Sequence, residues 1–433
     1  MKRLCLLVGG VLLAAPFAAL AFTEEPAPFD NDGVITKTEW AQVVALGAKG
    51  GVIDLGQQRV EFARGKLAPS TPLILRGGLF SSITLDQWQN VTFEGSIFRP
   101  ASTDHPDGPM VLAYEPQNLT FDRVNMSGKT LEDGKLVYPS IGIRGGSNIT
   151  VRGSRFWNMS NFMYFIRTNG VRVEYNDFNN IREGVQLVAV QNAVVQGNVF
   201  GPYFPYLGDH ADGVQLFTAG MTLETDTGAR NVVIDGNLVI SSSNGRAQGV
   251  FIRDEAGLFR SGRGYADVSV TNNLLVGTGW HGIGVMDPVQ RLFIDSNRLL
   301  VLNGAGDNVT NNWIMVRSVD FGGSAQVTNN SSGPMSLAEG VQQSNNTITS
   351  PVTDTQAQQA IDNWFATYRQ PVVAPVTPVT SEPTTTPTTE PTAPTKKKAR
   401  GKPVATVTAT SVRTAPRAGP QVTVRRSNRL QRE

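Results

Sequence analysis

The sequence predicts an all-β solenoid: a single-stranded right-handed parallel β-helix with a helical cap at each end and a disordered C-terminal tail. Three observations carry that expectation. A short β-rich phrase recurs along the chain, an asparagine returns at one phase of that phrase, and the composition changes abruptly after residue 370.

The phrase reads VTFEGSIF from Val91, LTFDRVNM from Leu119, ITVRGSRF from Ile149, VRVEYNDF from Val171, AVVQGNVF from Ala193, VVIDGNLV from Val232, VSVTNNLL from Val268 and LFIDSNRLL from Leu292. Each copy alternates apolar and polar positions, makes a tight polar turn and begins another strand. A second phrase lies between the copies: IGIR from Ile141, GVQLV from Gly184, GVQLF from Gly213, GVFIR from Gly249, GIGVM from Gly282 and WIMVR from Trp313. Together they imply two or three strands per coil.

The recurring asparagines are Asn176, Asn198, Asn237, Asn273, Asn297 and Asn330. The steps of 22 residues from Asn176 to Asn198 and 24 from Asn273 to Asn297 suit one solenoid coil. The steps of 39 and 36 residues between Asn198, Asn237 and Asn273 imply inserted loops, which in a solenoid project from the surface and build the binding face. Stacked coils set these asparagines one strand spacing apart, so their amides can form a ladder. The alternative is that each merely tolerates a left-handed turn conformation.

The division of the chain follows. Residues 1–21 read as a signal peptide, with Lys2 and Arg3 before an apolar run and Ala19-Leu20-Ala21 as the cleavage pattern. The only cysteine, Cys5, lies inside it, so the mature chain has no thiol for disulfides, metal ligation or nucleophilic catalysis. Residues 22–50 form an N-terminal segment whose capping box, Thr36-x-x-Glu39, opens a helix that plugs the first coil. The β-helix occupies 51–350 and a C-terminal capping helix 351–370, with Ile361, Trp364, Phe365 and Tyr368 on the face expected to lid the last coil. Residues 371–433 form a disordered Thr/Pro-rich linker and basic tail.

Charge is divided between body and tail. Of 38 Lys and Arg, eleven fall in residues 391–433 against one acidic residue, which leaves 27 bases and 35 acids in residues 1–390. The basic tail suits an anionic envelope polymer. No later stretch is long and apolar enough to span a membrane, so a secreted protein of periplasm, cell surface or medium is expected. With no coiled-coil segment readable, the expected state is a monomer.

The repeat and the asparagine phase resemble the pectin-lyase-like superfamily of secreted polysaccharide-active proteins over roughly residues 50–348. That superfamily includes polysaccharide lyases, polygalacturonases, alginate C5-epimerases and phage tailspikes, and one solenoid hosts many activities.

Aligned coil by coil, the second phrase puts Glu183, Asp212, Gln248 and His281 in one column, each immediately before a glycine. If the insertions loop out, two carboxylates, an amide and an imidazole line one groove, and the glycines leave room for a sugar to approach the backbone. Asp209 and His210 enrich the same place, and Arg253 and Arg317 supply cations. The catalytic candidates are Asp212, His281, His210 and Glu183; the substrate-binding candidates are Asp209, Gln248, Arg253 and Arg317. A purely structural role, with the column capping turns, competes with this reading.

Two chemistries fit. Lyase or C5-epimerase action removes the proton beside a uronate carboxylate, with His281 or His210 as base or acid, Arg253 and Arg317 neutralising the carboxylate, and Tyr203 or Tyr206 passing a proton. Hydrolysis asks instead for paired carboxyls. Asp212-Gly213 and His281-Gly282 resemble polygalacturonase motifs, and Arg317 stands where that family has a basic substrate-binding residue. Ala247 and Gln248 replace that family's aspartate pair. Asp209-His210-x-Asp212 is similar to a reordered epimerase motif. The expected substrate is an acidic polysaccharide and the rival class a non-catalytic glycan-binding or adhesive solenoid. Calcium is a candidate helper, no other cofactor is expected, and no metal ligand is assigned.

Overall fold

The computed structural model describes residues 29–369 apart from residue 31 and residues 61–62, 101–108, 131–135, 138–139, 161–162, 204–210, 242–246, 278–280, 303–311 and 320–323. The expected signal peptide and basic tail lie outside the described residues.

Each full coil carries three strands. One coil runs Met163–Ile166, Asn169–Glu174 and Asp177–Ile181; the next runs Val185–Val188, Gln191–Gln196 and Val199–Phe200. The coil strands pair in parallel with their counterparts one coil away, so Met163 faces Val185, Val171 faces Ala193 and Phe178 faces Phe200. The second and third strands merge into one long sheet, and the first strands build an 11-stranded sheet of their own. The recurring phrase is thus the second strand, the turn and the third strand, while the second phrase is the first strand.

Alternate residues of all three strands point into the tube. Phe165, Leu187, Leu216, Ile252 and Val285 descend one wall, and Val173, Val195, Ile234 and Val270 another, all within one core cluster. Like stacks on like: Phe156, Phe178 and Phe200 lie with successive ring centroids 5.0 and 4.8 Å apart. This is the strand spacing expressed in side chains.

The asparagine ladder is buried and continuous. From Asn176 to Asn330, each backbone N–H donates to the Oδ1 of the next asparagine at 2.9–3.0 Å, and each amide nitrogen donates both to that oxygen and to a backbone carbonyl. The ladder continues to Ser154 at one end and Asn346 at the other. The left-handed conformation falls on the residue before each ladder asparagine, such as Tyr175 (φ 55°) and Gly197 (φ 63°), so a turn tolerance does not explain the asparagine.

Helix α1 (Lys37–Gly47) closes the first coil, its capping box completed by Thr36 and Glu39. Trp40 enters the core and stacks on Trp88, with centroids 6.4 Å apart. Helix α2 (Asp354–Tyr368) departs from the expected lid. It lies along the flank of the solenoid, where Ala357, Ala360 and Trp364 cover the outward side chains Leu238, Leu274, Val276 and Leu300. Trp364 Nε1 donates to Gly236 O at 3.1 Å, and Arg369 reaches the carbonyls of Tyr175 and Asn176. The physical reason is the four outward apolar residues, which need a cover. The last coil presents polar Gln342, Gln343 and Ser344 instead.

Candidate functional site

The column forms on the face of the 11-stranded sheet. Asp212 lies opposite Gln248 in the parallel register. The same register that pairs Val185 with Val214 sets Glu183 beside Asp212, and Gly184 N donates to Asp212 O at 2.8 Å. His281 Nδ1 meets Gln248 Oε1 at 2.8 Å. Asp212 and Gln248 are each 2% exposed, whereas Glu183 and His281 are half-buried. Steps of 29, 36 and 33 residues along the chain leave the four side chains on consecutive coils.

The amide carbonyl of Gln248 accepts a hydrogen bond, so in this arrangement His281 carries a proton on Nδ1 and Nε2 is the basic nitrogen of the neutral ring. The imidazole is further fixed by stacking on Trp313, with centroids 5.2 Å apart and planes 10° from parallel. Phe251 flanks it at 6.1 Å. An oriented histidine is suited to moving protons.

At the other end, Arg182 Nη2 lies 3.6 Å from Glu183 Oε1, and Gln186 Nε2 donates to Glu183 Oε2 at 3.3 Å. Gln186 also bonds Gln215 Oε1 at 2.7 Å, extending a polar stripe across the sheet. Sequence reasoning missed Arg182, Gln186, Gln215 and Trp313. The two glutamines share one place in the GVQL phrases, which was a usable signal. Trp313 was hidden by an irregular register: His281 pairs with Trp313, but Ile283 pairs with Ile314.

Three expectations need correction. The column glycines do not make room for a sugar: a Cβ on Gly184, Gly213 or Gly249 would lie 2.0, 2.6 or 2.4 Å from the next coil's glycine carbonyl. They permit close coil-to-coil approach instead. Arg253 and Arg317 do not join the column. Arg253 is five residues beyond Gln248 on the same strand, about 17 Å away, and Arg317, whose amide bonds Val285 O, follows the strand Trp313–Val316 beside that of His281. Tyr203 cannot pass protons to a sugar, because it is 0% exposed, and burial together with the Asp212 and Glu183 carboxylates holds its phenol well above the usual range.

Asp209, His210 and Tyr206 lie outside the described residues. Among the described residues no group of three His, Cys, Asp or Glu is gathered to hold a metal, and no helix is long and apolar enough to cross a membrane.

No protein-family model matches the chain, and no curated protein matches it in sequence. Solved structures do. The A-module of a mannuronan C-5 epimerase from Azotobacter vinelandii is 14% identical, with a TM-score of 0.48 over 74% of this chain and 97% of that one. A surface adhesin of Streptococcus pneumoniae is 15% identical, with a TM-score of 0.42 over 71% and 87%. A polygalacturonase from Erwinia carotovora ssp. carotovora is 13% identical, with a TM-score of 0.34 over 78% and 99%. These likenesses concern the fold alone. With its two long parallel sheets, three strands per coil and buried asparagine ladder, the chain is a right-handed parallel β-helix.

Proposed function

We propose that the chain is an exported polysaccharide-active enzyme that performs acid–base chemistry on an acidic glycan at the Glu183–Asp212–Gln248–His281 column, by β-elimination or C5 epimerisation. The observation that carries this reading is the bond between His281 Nδ1 and Gln248 Oε1, which presents an oriented imidazole two coils, about 10 Å, from Asp212. His281 takes the proton beside the uronate carboxylate. The Gln248 amide N–H donates to the negative charge that develops, a role the displaced arginines cannot fill. Asp212 in its protonated form supplies the proton that the departing C4 oxygen takes in elimination or that C5 takes on its opposite face in epimerisation. In the same reading residues 1–21 direct export, the enzyme is a monomer, and the basic tail holds it to an anionic envelope polymer.

Hydrolysis is the second reading, favoured by one observation. Glu183 and Asp212 occupy adjacent coils, about 4.8 Å apart along the axis, which approaches the ~5–5.5 Å carboxyl separation of retaining glycosidases. Incubation with alginate, pectate, hyaluronan and bacterial exopolysaccharides separates these readings, following unsaturated uronate absorbance, reducing ends and uronate configuration in parallel. Absorbance or a changed configuration supports the proposal, and reducing ends without absorbance move it to hydrolysis. Affinity with no chemical change makes the chain a glycan-binding solenoid.

A further inference from the structure

We infer that a second subsite, built to hold a distant uronic-acid unit of the same glycan, lies at Arg144, so that the substrate is a polymer rather than a short oligosaccharide. The inference rests on the acidic-glycan reading above. A cleft of about 650 Å³ opens here, lined by Tyr114, Arg144, Ile166, Gly220 and Met221 among others.

Its chemistry is that of a sugar site. Tyr114, 39% exposed, is the register partner of Arg144 and offers a ring face to the apolar face of a pyranose. Tyr164 lies against Gly142, and its phenol hydrogen-bonds Arg144. Arg144 forms no ion pair among the described residues, so its guanidinium is available for a carboxylate. The other arginine of the cleft, Arg167, is occupied: it grips Asp226 with bonds of 2.7 and 3.0 Å and fastens the 218–226 loop at the cleft's edge. Asp86 is paired with Lys66 at 3.8 Å, and Gln87 Nε2 donates to Glu115 Oε2 at 3.2 Å, which leaves carboxylate oxygens to accept from sugar hydroxyls.

A path joins the two places. From Asp212 the outward side chains run through Gln215 and Gln186 to Tyr164, which is the register partner of Gln186, and then to Arg144 on the next coil. Arg144 is three coils from Asp212, about 14 Å along the axis, and five positions along the strand, about 17 Å across. Several sugar units span that diagonal.

The test uses the full chain carrying His281→Ala to prevent turnover, titrated calorimetrically with oligomannuronate and oligogalacturonate from dimer to octamer. Affinity is expected to rise with length. Adding Arg144→Ala weakens the octamer roughly tenfold or more and narrows its advantage over the dimer, while Arg144→Lys keeps part of it. Arg144 is exposed, so unchanged thermal unfolding of the variants verifies folding. Octamer binding indifferent to Arg144→Ala overturns the subsite alone. Failure of every oligosaccharide to bind overturns the acidic-glycan reading and the subsite with it.

Discussion

The ladder makes Asn237 the position where one side chain has most to lose. It is 1% exposed. Its Oδ1 accepts from the backbone and amide nitrogens of Asn198, both at 3.0 Å, and its Nδ2 donates to Val195 O at 2.9 Å and Asn273 Oδ1 at 3.0 Å. Asn237→Ala removes all four bonds and leaves the buried Asn198 N–H groups, Val195 O and Asn273 Oδ1 without these partners. At about 1 kcal/mol net for each, the loss is about 4 kcal/mol, among the larger effects of a single substitution. Asn237→Asp keeps the two accepted bonds but turns a carboxylate toward Val195 O and Asn273 Oδ1, and should lose at least half as much. The comparison is Asn169→Ala, an exposed position that accepts one bond from Asn192 at 2.7 Å and where water substitutes. Its expected cost is within ~0.5 kcal/mol. Urea unfolding followed by circular dichroism gives all three values. An Asn237→Ala loss below about 1 kcal/mol, or one equal to Asn169→Ala, would refute the view that the ladder holds the coils together.

Three further outcomes are expected. Gly249→Ala places a Cβ 1.9 Å from Leu275 Cδ2 and 2.4 Å from Gly282 O, so thermal unfolding should show a loss of about 1–3 kcal/mol; a neutral result would mean the coils can spread. Trp364→Ala should release α2 from the flank, read as new proteolytic cleavage within residues 354–369 while the main unfolding transition persists; an unchanged digest contradicts the docking. The hydrogen bond from Arg167 holds the Asp226 carboxyl at about 2, against a usual 3.8. Because the folded value is the lower one, this pair stabilises the 218–226 loop fully above the ordinary carboxylate range and ceases to do so as pH falls through about 2. Carboxyl-carbon NMR should give that midpoint; titration near 3.8 would show the loop unfastened.

Architecture was legible because a solenoid repeats its instructions. Every coil restates the alternation, the turn and the asparagine, and the column emerged from aligning GVQL, GVFI and GIGV without any structure. What stayed hidden was position across the sheet. Arg253 shares its strand with Gln248 and Arg317 follows the strand beside His281's, yet five and four residues of extended chain carry them to the opposite edge. The glycines look like open space in a sequence, and only the stacked carbonyls reveal that neighbouring coils fill it. An amphipathic helix after the last repeat is equally ambiguous. Its apolar face fits an end or a flank, and the outward Leu238, Leu274 and Leu300 decide for the flank. Arg182 and Tyr164 stand outside the aligned positions, so the repeat could not point to them.

The most direct test of the acid–base column is turnover of an acidic polysaccharide by the parent chain, Asp212→Asn and His281→Ala, with folding of each verified by its unfolding midpoint. The parent should act on at least one uronate polymer, and each variant should lose roughly a hundredfold or more while remaining folded. Folded variants that turn the polymer over at the parent's rate would show that the column only holds the wall together.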